Sequence, residues 1–99
     1  MFPASSIVPV VAHALVARLR FADDDALPTA AERQRRATDA ARAAVLGSTY
    51  RGKLVIRFRT ADGGVYRLQT CVWAVDDEYL VLEAGVALPL RAVLRLEFG

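Results

Sequence analysis

From Lys53 to Thr60 the chain alternates, with Leu54, Ile56 and Phe58 on one face and Val55, Arg57 and Arg59 on the other. Ala61-Asp-Gly-Gly64 then supplies turn-forming residues, and an apolar-rich stretch from Val65 to Val75 follows. Successive side chains of a strand point to opposite faces, so this pattern around a Gly-containing turn predicts a β-hairpin. Asp76-Asp-Glu78 predicts a second turn and Tyr79 to Glu83 a third strand. Ala84-Gly85 turns the chain again, and Val86 to Leu88 forms a fourth strand that Pro89 ends, since proline cannot donate to a ladder. Leu90-Arg-Ala92 fits a one-turn corner before a last strand, Val93 to Phe98, in which Leu94, Leu96 and Phe98 oppose Val93, Arg95 and Glu97. Five short strands with such tight connections predict a sheet curled into a small barrel.

The pattern changes in the N-terminal half. Thr29-Ala-Ala-Glu32 has the form of a capping box, and the Ala-, Arg-, Gln- and Glu-rich run to Leu46 favours helix. Gly47 is placed to end it. The apolar stripe of this helix is mostly small: Ala37, Ala40, Ala41 and Ala44, with Val45 and Leu46 at its end. Such a helix must lie close against the sheet or a second subunit. Val8 to Phe21 fits either a helix starting near Pro9 or a strand from Leu15 to Phe21; we read it as helix. Asp23-Asp-Asp25 to Pro28 is then a linker. The expected fold is one α+β, mainly β domain, with an N-terminal segment over 1–28, a helix over 29–47 and a five-stranded antiparallel small barrel over 53–98.

Composition narrows the picture only a little. Ninety-nine residues, 55% of them hydrophobic, suit a single folded domain rather than a disordered tail. The net charge of +2 is spread over both halves, so no basic arm or acidic tail stands out. Every basic residue except Lys53 is arginine, and arginine binds phosphate well when clustered. The single cysteine, Cys71, rules out an internal disulfide and fits a reducing compartment, so a cytoplasmic location is expected. The apolar run from Ile7 to Ala17 lacks a preceding basic residue and falls short of the roughly twenty residues of a membrane span. No membrane association is expected.

One helix followed by five short strands, the last two joined by a very short link, resembles the Sm-like and SH3-like small barrels over Ala31 to Phe98. The nearest bacterial comparison is the Hfq family of Sm-like RNA chaperones. Its strand–turn–strand pattern is matched by Asp62-Gly63, Val65 to Val75, Asp76-Asp77 and Tyr79-Leu-Val-Leu82. The resemblance implies a small barrel and, in that family, RNA contacts from a Tyr-Lys-His-Ala motif. Here the motif reads Pro89-Leu90-Arg91-Ala92, with Leu for Lys and Arg for His, and the family's Gln-Asp-x-x-Leu helix opening is absent. Val72-Trp-Ala-Val75, Gly85-Val86 and Pro89-Leu90 also resemble a group of small uncharacterised bacterial proteins, which implies no function.

Candidate chemistry follows from these placements. His13 and Cys71 are each the only residue of their type and fall in different elements, with no dyad-like spacing, so no catalytic residue is assigned and an enzyme is not expected. The acidic clusters Asp23–Asp25 and Asp76–Glu78 lack the alternation of a calcium loop, and Gly63-Gly64 is not followed by the Lys-Ser/Thr of a phosphate loop. No metal, cofactor or small-molecule substrate is expected. A non-catalytic, self-associating interaction module is the leading expectation, with Val86, Leu88, Leu90, Val93, Leu94 and Leu96 as the candidate strand edge for a homo-oligomer or a protein partner. The alternative is binding of single-stranded RNA or DNA through Arg57, Arg59, Arg67 and Arg91, extended by Arg51 and Lys53, with Tyr66 or Tyr79 as a stacking platform. Trp73 is read as a core or interface anchor.

Overall fold

The computed structural model describes residues 9–49 and 53–98. A one-turn helix α1 (His13–Val16) and a long helix α2 (Ala30–Thr49) precede six strands: β1 (Leu54–Arg59), β2 (Val65–Thr70), β3 (Val72–Val75), β4 (Tyr79–Leu82), β5 (Ala87–Pro89) and β6 (Val93–Glu97). The strands form two three-stranded antiparallel sheets, ordered β2-β1-β6 and β3-β4-β5, rather than one closed barrel.

The described residues form six strands, not five, because the stretch from Val65 to Val75 breaks at Cys71 and changes partners. Residues before it pair with β1 and residues after it with β4. The Cys71 carbonyl accepts from the Glu83 amide at 3.0 Å, which fixes the bend. The β1–β2 hairpin forms as the alternation predicts, with Leu54, Ile56 and Phe58 buried. Its turn is locked by Asp62, whose Oδ1 accepts from the Gly64 amide and the Thr60 hydroxyl, while Gly63 adopts φ +88°. Asp76 closes the next turn similarly, accepting from the Glu78 and Tyr79 amides at 2.8 Å each.

Three expectations change for tertiary reasons. The helix expected over Val8 to Phe21 is not continuous, since Pro9 to Val11 instead bridges the outer edge of β2: the Arg67 amide donates to the Pro9 carbonyl and the Val11 amide to the Arg67 carbonyl. Only the single turn of α1 is helical there, and Val16, Leu19 and Phe21 are drawn into the core beneath the sheet. Val8 lies outside the described residues. In α2 the buried stripe is Arg36, Ala40, Ala43 and Gly47, whereas Ala37, Ala41 and Val45 are exposed. The helix runs on through Gly47, where a Cβ would overlap the Val72 carbonyl oxygen, so glycine permits the helix to seat on β3. In β6 a register shift opposite Arg57/Phe58 turns Val93 inward, so Val93 and Leu96 are both buried.

Only the forward half of the expected capping box forms, because the Glu32 carboxylate takes the Thr29 hydroxyl rather than the Thr29 amide. Thr29 Oγ1 accepts from the Glu32 amide at 3.2 Å and donates to the Glu32 carboxylate at 2.7 Å. The acidic linker has one structural member: Asp25 receives both Nη atoms of buried Arg36, at 2.8 and 2.6 Å. Arg36 Nη1 also donates to the Val93 carbonyl at 3.0 Å, which joins linker, helix and β6 at one residue. No helix among the described residues is long and apolar enough to cross a membrane.

Candidate nucleic-acid interface

On the outer face of β2-β1-β6 the pairing register sets Arg67 directly opposite Arg57, and Arg57 directly opposite Arg95. Three arginines therefore stand in one row across three strands, about 10 Å from end to end at the usual strand spacing. Arg59 follows two residues along β1, on the same face and about 7 Å away. A carboxylate lies among them. Glu97 Oε2 is 3.0 Å from Arg57 Nε and 3.6 Å from Arg95 Nε. Four arginines gathered around this glutamate make the face cationic, and like charges directly opposite one another oppose sheet formation.

The sequence-predicted members separate. Arg57, Arg59 and Arg67 do meet on one face, joined by Arg95, which alternation sets outward but does not assign to the patch. Nothing local signals its position; that comes from the distant pairing of β1 with β6. Arg91 serves the linker instead, its Nε donating to the Ala22 carbonyl at 2.6 Å while its own carbonyl accepts from the Ala26 amide. Lys53 pairs with Glu83 at 3.4 Å. Arg51 lies outside the described residues. Tyr66 points to the opposite side of the sheet from Arg67, its ring stacked on Phe58 with centroids 5.9 Å apart. Tyr79 belongs to the other sheet.

The candidate strand edge is likewise divided. Leu88, Leu90, Val93 and Leu96 are buried in the core and half-buried Val86 packs against it, so these five offer chiefly backbone to a neighbour, whereas half-buried Leu94 lines a surface groove beside α2. The apolar surface lies elsewhere. Trp73 and Tyr79 are 55% and 39% exposed, and Ala74, Val81 and Ala87 form a cross-strand row on the outer face of β3-β4-β5.

His13 makes a contact that its spacing does not suggest. Its Nε2 lies 2.8 Å from Thr70 Oγ1 and 3.7 Å from Glu83 Oε1. Both partners share one ring nitrogen and Thr70 is fully buried, so the group lacks a carboxylate orienting the opposite nitrogen towards an accessible nucleophile. It ties α1 to the sheets. Among the described residues no group of three or more His, Cys, Asp or Glu side chains is arranged to hold a metal ion. No protein-family model, curated protein or solved structure matches the chain.

Proposed function

We propose that this chain is a non-catalytic binding module on a Sm-like or SH3-like plan, and that its arginine face takes the phosphate backbone of single-stranded nucleic acid. The plan is supported by two corners that link the sheets: β2 passes into β3 through Cys71 alone, and a single 3-10 turn, Leu90–Ala92, joins β5 to β6. The row Arg67–Arg57–Arg95 carries the functional reading. An arrangement of like charges that costs folding energy is offset when an anion spans it, and guanidinium groups match phosphate oxygens in fork geometry. No aromatic ring of the described strands β1, β2 and β6 shares the face, so it reads phosphate rather than base sequence.

Fluorescence anisotropy with a labelled single-stranded oligonucleotide tests the proposal. Micromolar binding at low salt that is lost in Arg57→Glu/Arg59→Glu supports it; no binding at low salt removes it.

Self-association is a second reading, favoured by the apolar outer face of β3-β4-β5 and by the edges of β5 and β6, each of which has a single strand neighbour. A second copy placed on Trp73 would cover the apolar face. Sedimentation velocity over a wide concentration range should show a dimer or larger species that Trp73→Glu dissociates. A monomer throughout excludes this reading without touching the first.

A further inference from the structure

The side of the β1–β2 hairpin opposite the arginine row carries a second cationic feature. The segment Arg18 to Arg20 runs beneath the hairpin turn and is fixed there, with the Ala61 amide donating to the Arg20 carbonyl at 2.8 Å and Phe21 packing on Phe58 at 6.0 Å. Between segment and turn lies a cleft of about 320 Å³ whose lining includes Arg18, Arg20, Thr60, Asp62 and Tyr66. That volume is at the small end of ligand pockets. Tyr66 is half-buried, its ring backed by Phe58 and held in place, which makes it a rigid platform. Arg18 and Arg20 are exposed, and neither is ion-paired with a described carboxylate. Asp62, the acid in the lining, already accepts from Thr60 and Gly64 through Oδ1.

A fixed aromatic ring beside two uncommitted guanidinium groups suits a ligand that is both flat and anionic. We infer that this cleft seats one nucleotide unit of the bound single strand, its base stacked at Tyr66 and its phosphate held by Arg18 and Arg20. The path is short. Arg59, the last residue of β1, immediately precedes Thr60 in the cleft wall, so a flexible strand leaving the arginine face rounds the hairpin end into the cleft. Duplex, which cannot turn so sharply or splay a base, is excluded from the cleft. The inference rests on the nucleic-acid reading and adds a base-dependent contact to a phosphate-reading face.

The test compares two labelled oligonucleotides of equal length, an oligothymidylate and its abasic analogue, binding to the full chain. The wild type is expected to prefer the base-bearing strand by about tenfold, in the range of one base stacked on one aromatic side chain. Tyr66→Leu should bring that ratio close to one. Arg18→Glu/Arg20→Glu, at positions that the core does not use, should abolish the preference in a folded protein. Equal binding of the two strands by the wild type, or a preference that survives both variants, overturns the cleft while the arginine face stands. A phosphotyrosine peptide that binds more tightly than the base-bearing strand overturns it as well. If the wild type binds neither strand, the arginine-face reading falls with it.

Discussion

Gly47 shows how much one missing carbon decides. A methyl group there would overlap the Val72 carbonyl oxygen, and that oxygen belongs to a strand rather than to a yielding side chain. Gly47→Ala is therefore expected to destabilise the fold by about 1–3 kcal/mol despite alanine's higher helix propensity, as read from urea unfolding. Arg95 makes the opposite case. It is exposed, lies directly opposite Arg57 and shares Glu97 with it at 3.6 Å. Arg95→Gln removes a like-charge neighbour, so stability should stay within about 0.5 kcal/mol of wild type or rise slightly, while oligonucleotide affinity falls. Parallel unfolding and binding curves check this; a loss of stability with affinity intact would mark Arg95 as a structural residue. Alternation identifies Arg95 as outward-facing, but its rank beside Arg57 and Arg67 depends on a pairing between residues some forty positions apart, which no local pattern contains. Gly47 misleads for the same reason: its local signature is that of a helix stop, and the contact that explains it lies on β3.

Among the elements, the linker and α2 are coupled through Asp25, paired with Arg36 at 2.6 Å and more loosely with Arg33 at 3.7 Å. Asp25 receives Arg36 bidentately and also accepts from the Leu27 amide at 2.8 Å. The Arg36 hydrogen bond, then the Leu27 amide and the charges of Arg36 and Arg33, hold the Asp25 carboxyl below its ordinary value of 3.8 against the opposing effect of burial. The stability it contributes is complete above the unfolded-state value and disappears as pH falls through the lower folded-state value. Asp25→Asn should cost about 1.5–3 kcal/mol at neutral pH, and the gap from wild type should close only once the acid carries the pH below the lowered folded-state value, when unfolding is followed against pH. A gap that persists unchanged into strong acid would show that the carboxylate is not its source. Elements defined by contiguous residues are legible in the sequence: β1, its turn and the Thr29 N-cap of α2 all form from residues within a few positions of one another. The N-terminal segment is not, because Pro9 to Val11 finds its hydrogen-bond partners on β2 and its apolar residues are placed by the core rather than by a helical period. The division of Val65 to Val75 at Cys71 is hidden similarly, since both halves are β-prone and only the change of partner separates them.

At the scale of the molecule, the two sheets present unlike outer surfaces. One carries Arg57, Arg59, Arg67 and Arg95 around Glu97; the other carries Trp73 and Tyr79 with a row of small apolar residues. On the proposed reading, one side takes an anionic polymer, and on the second reading the other takes protein. The cationic sheet makes the sharper claim, because its charge sets a quantity. On the proposed reading, four arginines offset by one glutamate would neutralise about three phosphates, so the arginine face alone should make log affinity fall against log salt with a slope near −2, which a phosphate held in the cleft steepens. The decisive measurement is that slope, taken by anisotropy between about 50 and 200 mM salt for the wild type and for Arg57→Glu/Arg59→Glu. A wild-type slope of about −2 or steeper, with binding lost in the variant, is the result predicted. Binding whose affinity ignores salt, or that the variant retains undiminished, would contradict the arginine face as the site.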